Sequence, residues 1–259
     1  MKQYIVDAFT TEIFKGNQAA VCIMNEWISD ELMKNIAKEN NFSETAFAVK
    51  KQNEVYDLRW FTPADEIDFC GHATLATSFV LFNYYEKNAD KISFHTKRGN
   101  FDIFKDGGKI RMEFEAYKLN PVPVTDQMEK VFGFRPTEAY IDRDLLCVFD
   151  DENIVRNMSP DQAELKKLDG LTIAVTAKGS GTYDCVSRVF CPELGIMEDP
   201  VTGSTHCMIA PYWSKKLNKK ELVCFQSSER TGELFCRVDG EKVSVTGNAV
   251  LFGRADILE

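Results

Sequence analysis

The sequence predicts an α/β (α+β) protein made of two similar halves, each a β-rich unit holding one buried helix. Three observations carry this expectation. Segments 59–74 (RWFTPADEIDFCGHAT) and 188–205 (RVFCPELGIMEDPVTGST) both open Arg-x-Phe-x-Pro, run through acidic residues, and reach a glycine followed by a polar residue: Gly71-His72 and Gly203-Ser204. The echo holds its order. Arg59/Arg188, Phe61/Phe190 and Pro63/Pro192 share an offset of 129, Gly71/Gly203 one of 132, and GNFDIFKDGGKI from Gly99 matches GELFCRVDGEKV from Gly232 at 133. Each copy also leads into a largely apolar segment of helix length, residues 71–85 and 203–217. A helix apolar nearly all round is a buried one, and matched blocks at near-constant spacing mark an internal duplication.

The elements follow in order. Ser29-Asp30-Glu31 reads as an N-cap with an acidic first turn, leading to Leu32, Met33, Ile36 and Ala37 on one helical face. Thr45, Phe47 and Val49 alternate with Ala46, Ala48 and Lys50, and residues 55–61 (VYDLRWF) are equally strand-like. Asp106-Gly107 and Asp239-Gly240, each flanked by β runs, predict hairpins. Pro121, Pro123 and Pro136 interrupt the pattern. They place the halves at 1–120 and 121–259, with the boundary within 118–138 and the last strand free to cross over. No Pro/Gly/Ser-rich linker separates them.

Composition narrows the partners. A 259-residue chain with net charge −9 lacks the clustered positive charge that nucleic acid or an anionic membrane requires. Lys166-Lys167 and Lys215-Lys216 are short enough to be solvated helix faces. No apolar run reaches the roughly 20 residues of a spanning helix. The opening residues MKQYIVD have no apolar h-region, so a soluble, cytoplasmic protein is expected. The eight cysteines form no Cys-x-x-Cys pair and are expected reduced, most of them as small buried hydrophobes. Cys70 stands apart because it directly precedes the glycine of a helix start. His72, His95 and His206 have no ligand spacing to a cysteine pair, so no metal site is expected.

Chemistry concentrates where the repeat ends. A helix N-terminus presents unpaired N–H groups and partial positive charge, and glycine lets a ligand approach the backbone. Gly71 and Gly203 therefore either cradle an anionic substrate in a cleft between the halves or simply open two capped core helices. Glu44, in the mostly apolar NFSETAF stretch, is expected to be partly desolvated, with a raised pKa suited to general acid/base work. Read alone, a glutamate at a strand end is more often a solvated edge charge. Either Glu198 or Asp199 can serve the second helix start, where Pro200 holds Asp199 extended. His72 can donate to a substrate oxygen or share a proton, and Ser204 holds the matching place in the second copy.

Taken together, FSETAF (42–47), RWFTP (59–63), CGHATLA (70–76), EDPVTGS (198–204) and GNQAAV (16–21) resemble the PhzF-like phenazine-biosynthesis isomerase family over nearly the whole chain. The resemblance implies a diaminopimelate-epimerase-like fold: two pseudo-symmetric halves, each a curved sheet around a central helix, with the site in the cleft between. It implies cofactor-free proton transfer at carbon by Glu44 on a small anionic or carboxylated substrate. His72 and Asp199 then support binding and proton traffic, Gly71, Gly203 and Ser204 contribute to the cradle, and a homodimer is the implied assembly. The chain departs from the family at Gln18 (commonly proline), Thr205 (commonly alanine) and Arg230-Thr231-Gly232 (commonly Arg-Gly-Gly), which bears on the substrate more than on the chemistry.

Two alternatives stay open at this level. Racemases and epimerases of the wider superfamily carry a thiol at each helix start, and here those places hold Cys70 and Thr202. A Cys70 thiolate, its pKa depressed by the helix N-terminus, can serve a racemase, epimerase or dehydratase, although Thr202 is a poor partner acid. A non-catalytic small-molecule binding protein on the same scaffold is the other.

Overall fold

The computed structural model describes residues 1–194 and 196–258. They divide into two compact units, Met1–Glu113 with Thr246–Glu259, and Phe114–Val245. The proline-marked stretch expected to hold the boundary lies inside the second unit, where residues 120–122 form a strand.

The first unit contains β1 (Lys2–Ala8), β2 (Asn17–Met24), α1 (Asp30–Asn40), β3 (Glu44–Gln52), β4 (Val55–Phe61), β5 (Glu66–Ile67), α2 (Gly71–Val80), β6 (Lys91–Thr96), β7 (Gly99–Asp106) and β8 (Lys109–Glu115). β1 and β2 pair antiparallel, β2 and β3 parallel, β3 and β4 antiparallel, β4 and β6 parallel, and β6 and β7 antiparallel. β5 folds back along β4.

The second unit contains β9 (Asn120–Val122), α3 (Asp126–Phe132), β10 (Glu138–Ile141), β11 (Leu145–Phe149), α4 (Glu152–Asn157), α5 (Gln162–Leu165), β12 (Ile173–Lys178), β13 (Cys185–Cys191), β14 (Ile196–Asp199), α6 (His206–Leu217), β15 (Glu221–Gln226), β16 (Gly232–Asp239) and β17 (Lys242–Gly247). Its pairings from β10 repeat the series: antiparallel to β11, then parallel, antiparallel, parallel and antiparallel through β12, β13, β15 and β16. β14 folds back along β13 as β5 does along β4. The duplication read from the sequence is thus a duplication of topology. The last strand, β18 (Ala249–Asp256), runs antiparallel beside β1 in the first unit.

Local signals explain the elements. Ser29 accepts the Leu32 N–H and caps α1, which buries Met33, Ile36 and Ala37. Both Asp-Gly hairpins form, with Gly107, Gly108 and Gly240 at positive φ. β3 departs from simple alternation, because Glu44 through Val49 are all buried. The reason is a helix on each face. Phe47 and Val49 pack with the α1 residues Met33 and Ile36, while Glu44, on the other side, meets α2.

The two central helices begin differently. α2 starts at Gly71, as expected, with a regular Thr74 N–H to Cys70 O bond. α6 starts at His206, not Gly203. The Thr202 carbonyl is 2.8 Å from His206 Nδ1, so the His206 N–H turns to Gly203 O instead. A side chain has taken the acceptor that an α-turn needs, and residues 203–205 wind as tighter turns. Pro211, inside α6, cannot donate to the Cys207 carbonyl one turn back; that carbonyl accepts from the Tyr117 N–H instead. Among the described residues no helix is long and apolar enough to cross a membrane.

Candidate active site

The parallel register of β2 and β3 sets Ala19 opposite Glu44, and α2 packs across β1, β2 and β3. This brings Asn17, Glu44, Cys70 and His72 together in the first unit, although they are spread over more than fifty positions of sequence. His72 Nε2 lies 3.1 Å from Glu44 Oε2. His72 Nδ1 lies 3.0 Å from Asn17 Nδ2. Cys70 Sγ is 3.5 Å from Nδ1 and 3.9 Å from Nε2.

Burial sharpens the chemistry. Glu44, Cys70 and His72 are only 8%, 6% and 5% exposed. Glu44 Oε2 accepts no hydrogen bond among the described residues. Although close to Nε2, it stands off the direction in which the ring N–H points. Asn17 engages the opposite ring nitrogen, presenting its NH2 to a bare Nδ1 or its carbonyl oxygen to a protonated one. Either way Nε2 is the nitrogen left to face Glu44.

The charges in this cluster are unequal. Burial pulls the His72 imidazole down, but negative charge at Cys70 and at Glu44 more than reverses it, leaving the ring well above its ordinary 6.5. Burial pushes the Cys70 thiol up to about 11, and the Glu44 charge adds to this, against the opposing pull of His72. This corrects the expectation of a depressed thiol. The positive end of α2 is outweighed by desolvation and a neighbouring carboxylate. Gly71 supplies the first residue of the helix between Cys70 and His72.

In the second unit, the structure gathers Asp199, Thr202, Gly203 and Ser204. Thr202 donates its hydroxyl to Asp199 Oδ2 at 2.5 Å, so it is already committed. Gln226, wholly buried at the end of β15, donates to the Asp199 carbonyl at 2.7 Å and accepts the Thr202 N–H at 2.9 Å. Ser228 donates to the Pro200 carbonyl at 2.6 Å. Arg143, paired with the buried Asp144, donates to Ser204 Oγ at 3.1 Å. Glu198 is drawn away by Arg188 and has no part in this group.

A local rule recurs in each unit. The side chain following Gly71 or Gly203, His72 or Ser204 respectively, is held by a residue at or just before the second of two paired strands, Asn17 or Arg143. Sequence reasoning missed Asn17, Arg143 and Gln226 as supports. Gln226 left one trace: it is the polar member of the buried series Leu222, Cys224, Gln226 along β15.

Sequence spacing also offered no ligand set, yet one atom each of Glu44, Cys70 and His72 lie within 4.8 Å of one another, as a metal site requires. All eight cysteines are buried, in keeping with the reading of most of them, Cys70 apart, as small hydrophobes.

Residues 6–255 match the family described as phenazine biosynthesis-like protein. An uncharacterized isomerase of Pseudomonas aeruginosa is 43% identical over 247 residues, covering 95% of each chain. The crystal structure of a PhzF-family phenazine biosynthesis protein from Enterococcus faecalis superposes with a TM-score of 0.97 at 45% identity, over 100% of this chain and 99% of that one. A probable proline racemase from Agrobacterium radiobacter shares the fold alone, with a TM-score of 0.64 at 9% identity over 99% of this chain and 92% of that one. The fold is the diaminopimelate-epimerase-like α+β arrangement that the sequence predicts.

Proposed function

Because the chain belongs to the phenazine biosynthesis-like family, we propose that it is a cofactor-independent isomerase that moves a proton between carbons of a small carboxylate-bearing substrate, with Glu44 as general acid/base. The observation that carries this reading is a buried carboxylate oxygen, Glu44 Oε2, that accepts no hydrogen bond beside a histidine. A carboxylate so placed is ready to accept a proton from substrate.

The step balances within the substrate. Glu44 takes a proton from a carbon next to an unsaturated or carboxylated centre. The bonding pair moves into that centre as developing enolate charge. The same carboxyl group then returns the proton to a second carbon. His72, held by Asn17 and raised in pKa by its neighbours, supplies positive charge. The N–H groups opening α2 add theirs. To the second unit the reading assigns anion binding by Ser204, aligned by Arg143, and by the 199–203 loop, shaped by Gln226. A thiol base has less support, because the Cys70 thiol is pushed up to about 11.

Deuterium uptake from heavy water into a panel of small unsaturated carboxylic acids tests this. Wild type exchanges at least one of them. Glu44→Gln loses exchange by about 10³-fold while still binding that acid, and Cys70→Ser stays within about 10-fold. Exchange abolished by Cys70→Ser and kept by Glu44→Gln would hand the role to the thiol. No exchange with any acid, with binding retained, would make the protein a binder.

A further inference from the structure

Arg143 has donors to spare. Its Nε–H and one Nη2 proton go to Asp144 at 3.0 Å and 2.8 Å, and the other Nη2 proton goes to Ser204 Oγ at 3.1 Å. The Nη1 protons meet no acceptor among the described residues. We propose that Arg143 is itself a ligand of the substrate, its Nη1 binding a carboxylate oxygen that the Ser204 hydroxyl also binds. This deepens the reading of the second unit as the anion-binding side and rests on it.

The geometry of a guanidinium supports the sharing. Asp144 occupies the edge formed by Nε and Nη2. The Nη2 proton left for Ser204 lies on the opposite edge, where an Nη1 proton runs parallel to it. An oxygen received at Nη1 therefore lies beside Ser204 Oγ, within the roughly 2.7 Å of a hydroxyl hydrogen bond. Ser204 accepts from Arg143, so its own proton is free to be donated to that oxygen.

The fork is also held in place and reachable. Asp144 is wholly buried, and the guanidinium carbon lies 5.0 Å from the centre of the Tyr117 ring, whose backbone N–H is fixed on the Cys207 carbonyl of α6. The Arg143 carbonyl accepts the Leu171 N–H, and the Thr172 carbonyl accepts the Leu145 N–H, both at 2.9 Å. Yet the Arg143 side chain keeps 27% of its surface open, enough for a small anion to meet Nη1. A donor set fixed before binding loses little entropy on taking its ligand.

Nothing negative stands at the place that Glu44 holds in the first unit. Phe61 and Phe190 correspond in the doubled segment, Thr45 faces Phe61, and Ile173 faces Phe190. Thr172 is thus the counterpart of Glu44, buried and neutral. The Asp144 charge is engaged by Arg143 on its far edge.

Crotonate, a small unsaturated carboxylate, and crotonamide, its uncharged isostere, read the site without turnover, so failure of the Glu44 chemistry leaves the result untouched. Isothermal titration calorimetry of the full chain should show wild type preferring crotonate at least about 10-fold. Arg143→Met should lose at least about 10-fold in crotonate affinity, and the preference with it. Because that change leaves Asp144 buried without its partner, Arg143→Lys is made alongside. It keeps a charge beside Asp144 but lacks the fork, and should lose at least about 3-fold. Circular dichroism checks that each variant is folded. The deciding comparison is made in Ser204→Ala, where either Arg143 substitution should weaken crotonate binding further. A guanidinium that acts only by aligning Ser204 has nothing left to lose there, so no further loss overturns the proposal. Wild-type affinity for crotonate in the folded Arg143 variants, or no saturable crotonate binding to wild type at tens of millimolar, overturns it as well.

Discussion

Arg188 grips Glu198 with two parallel bonds, Nε to Oε1 at 2.7 Å and Nη2 to Oε2 at 2.8 Å. The first unit repeats the clamp at Arg59 and Glu66, both bonds being 2.8 Å. In each case an arginine on a strand holds a glutamate on the short strand folded back along it. This is why the chain writes Arg-x-Phe-x-Pro and an acidic run twice. The motif builds the approach to each central helix, and the chemistry hangs from its end. Each arginine then does something of its own. Arg188 also donates to the Met158 carbonyl just past α4, whereas Arg59 pairs with Asp30 at the start of α1.

Removing one side of the Arg188 clamp leaves a largely buried carboxylate without its partner. Arg188→Met should cost about 2–4 kcal/mol, somewhat below a fully buried pair because Glu198 keeps some solvent access. Adding Glu198→Leu should recover more than half of that loss. Urea denaturation of the two variants measures both, and a loss below about 1 kcal/mol for Arg188→Met would deny the clamp its structural role.

Gln226 shapes the 199–203 loop through two buried bonds to its backbone. Gln226→Leu fits the space but strands the Thr202 N–H and the Asp199 carbonyl. A cost of about 2–4 kcal/mol follows from leaving two buried groups unpaired. The Thr202 amide should exchange hydrogen much faster in the variant. Unchanged protection there would show that the loop holds its shape without the glutamine.

The Cys70 thiol titrates near 11 when folded, against 9.0 for an ordinary thiol. Below pH 9 it is neutral in both folded and unfolded chains, and its contribution to stability is fully present. Above pH 9 the unfolded chain ionises first, so that contribution is lost as pH rises toward 11. Relative to Cys70→Ser, wild type should lose about 1.4 kcal/mol per pH unit across this window. Denaturation at pH 8 and pH 10 checks it. A difference that stays constant between the two would mean that the thiol is not perturbed.

Much of the fold is legible in neighbouring residues. The Ser29 cap, the two Asp-Gly turns and the doubled Arg-x-Phe-x-Pro blocks are signals of this kind, and each forms where the sequence places it. Glu44, Cys70 and His72 stand out from local context, and they lie together. What misleads is also local. The helix start alone argues for an acidic Cys70, yet burial and Glu44 reverse the sign. Gly203 reads as a helix start because Gly71 is one, but His206 diverts the first turn.

By itself, the sequence determined the duplication, the order of elements and the residue types available at each helix start. These depend on periodicity, turn geometry and capping, which act over a few residues. Only the tertiary structure decided partnership. Asn17 reaches His72 across 55 positions because β2 and α2 pack together. Gln226 reaches Thr202 from the end of β15, and Arg143 reaches Ser204. Such pairings follow from strand register and helix packing, and the electrostatic balance at Glu44, Cys70 and His72 follows from what those elements exclude from water. Neither is a property of a residue and its neighbours in the chain, so both emerge only when the sheet and its central helix close around them.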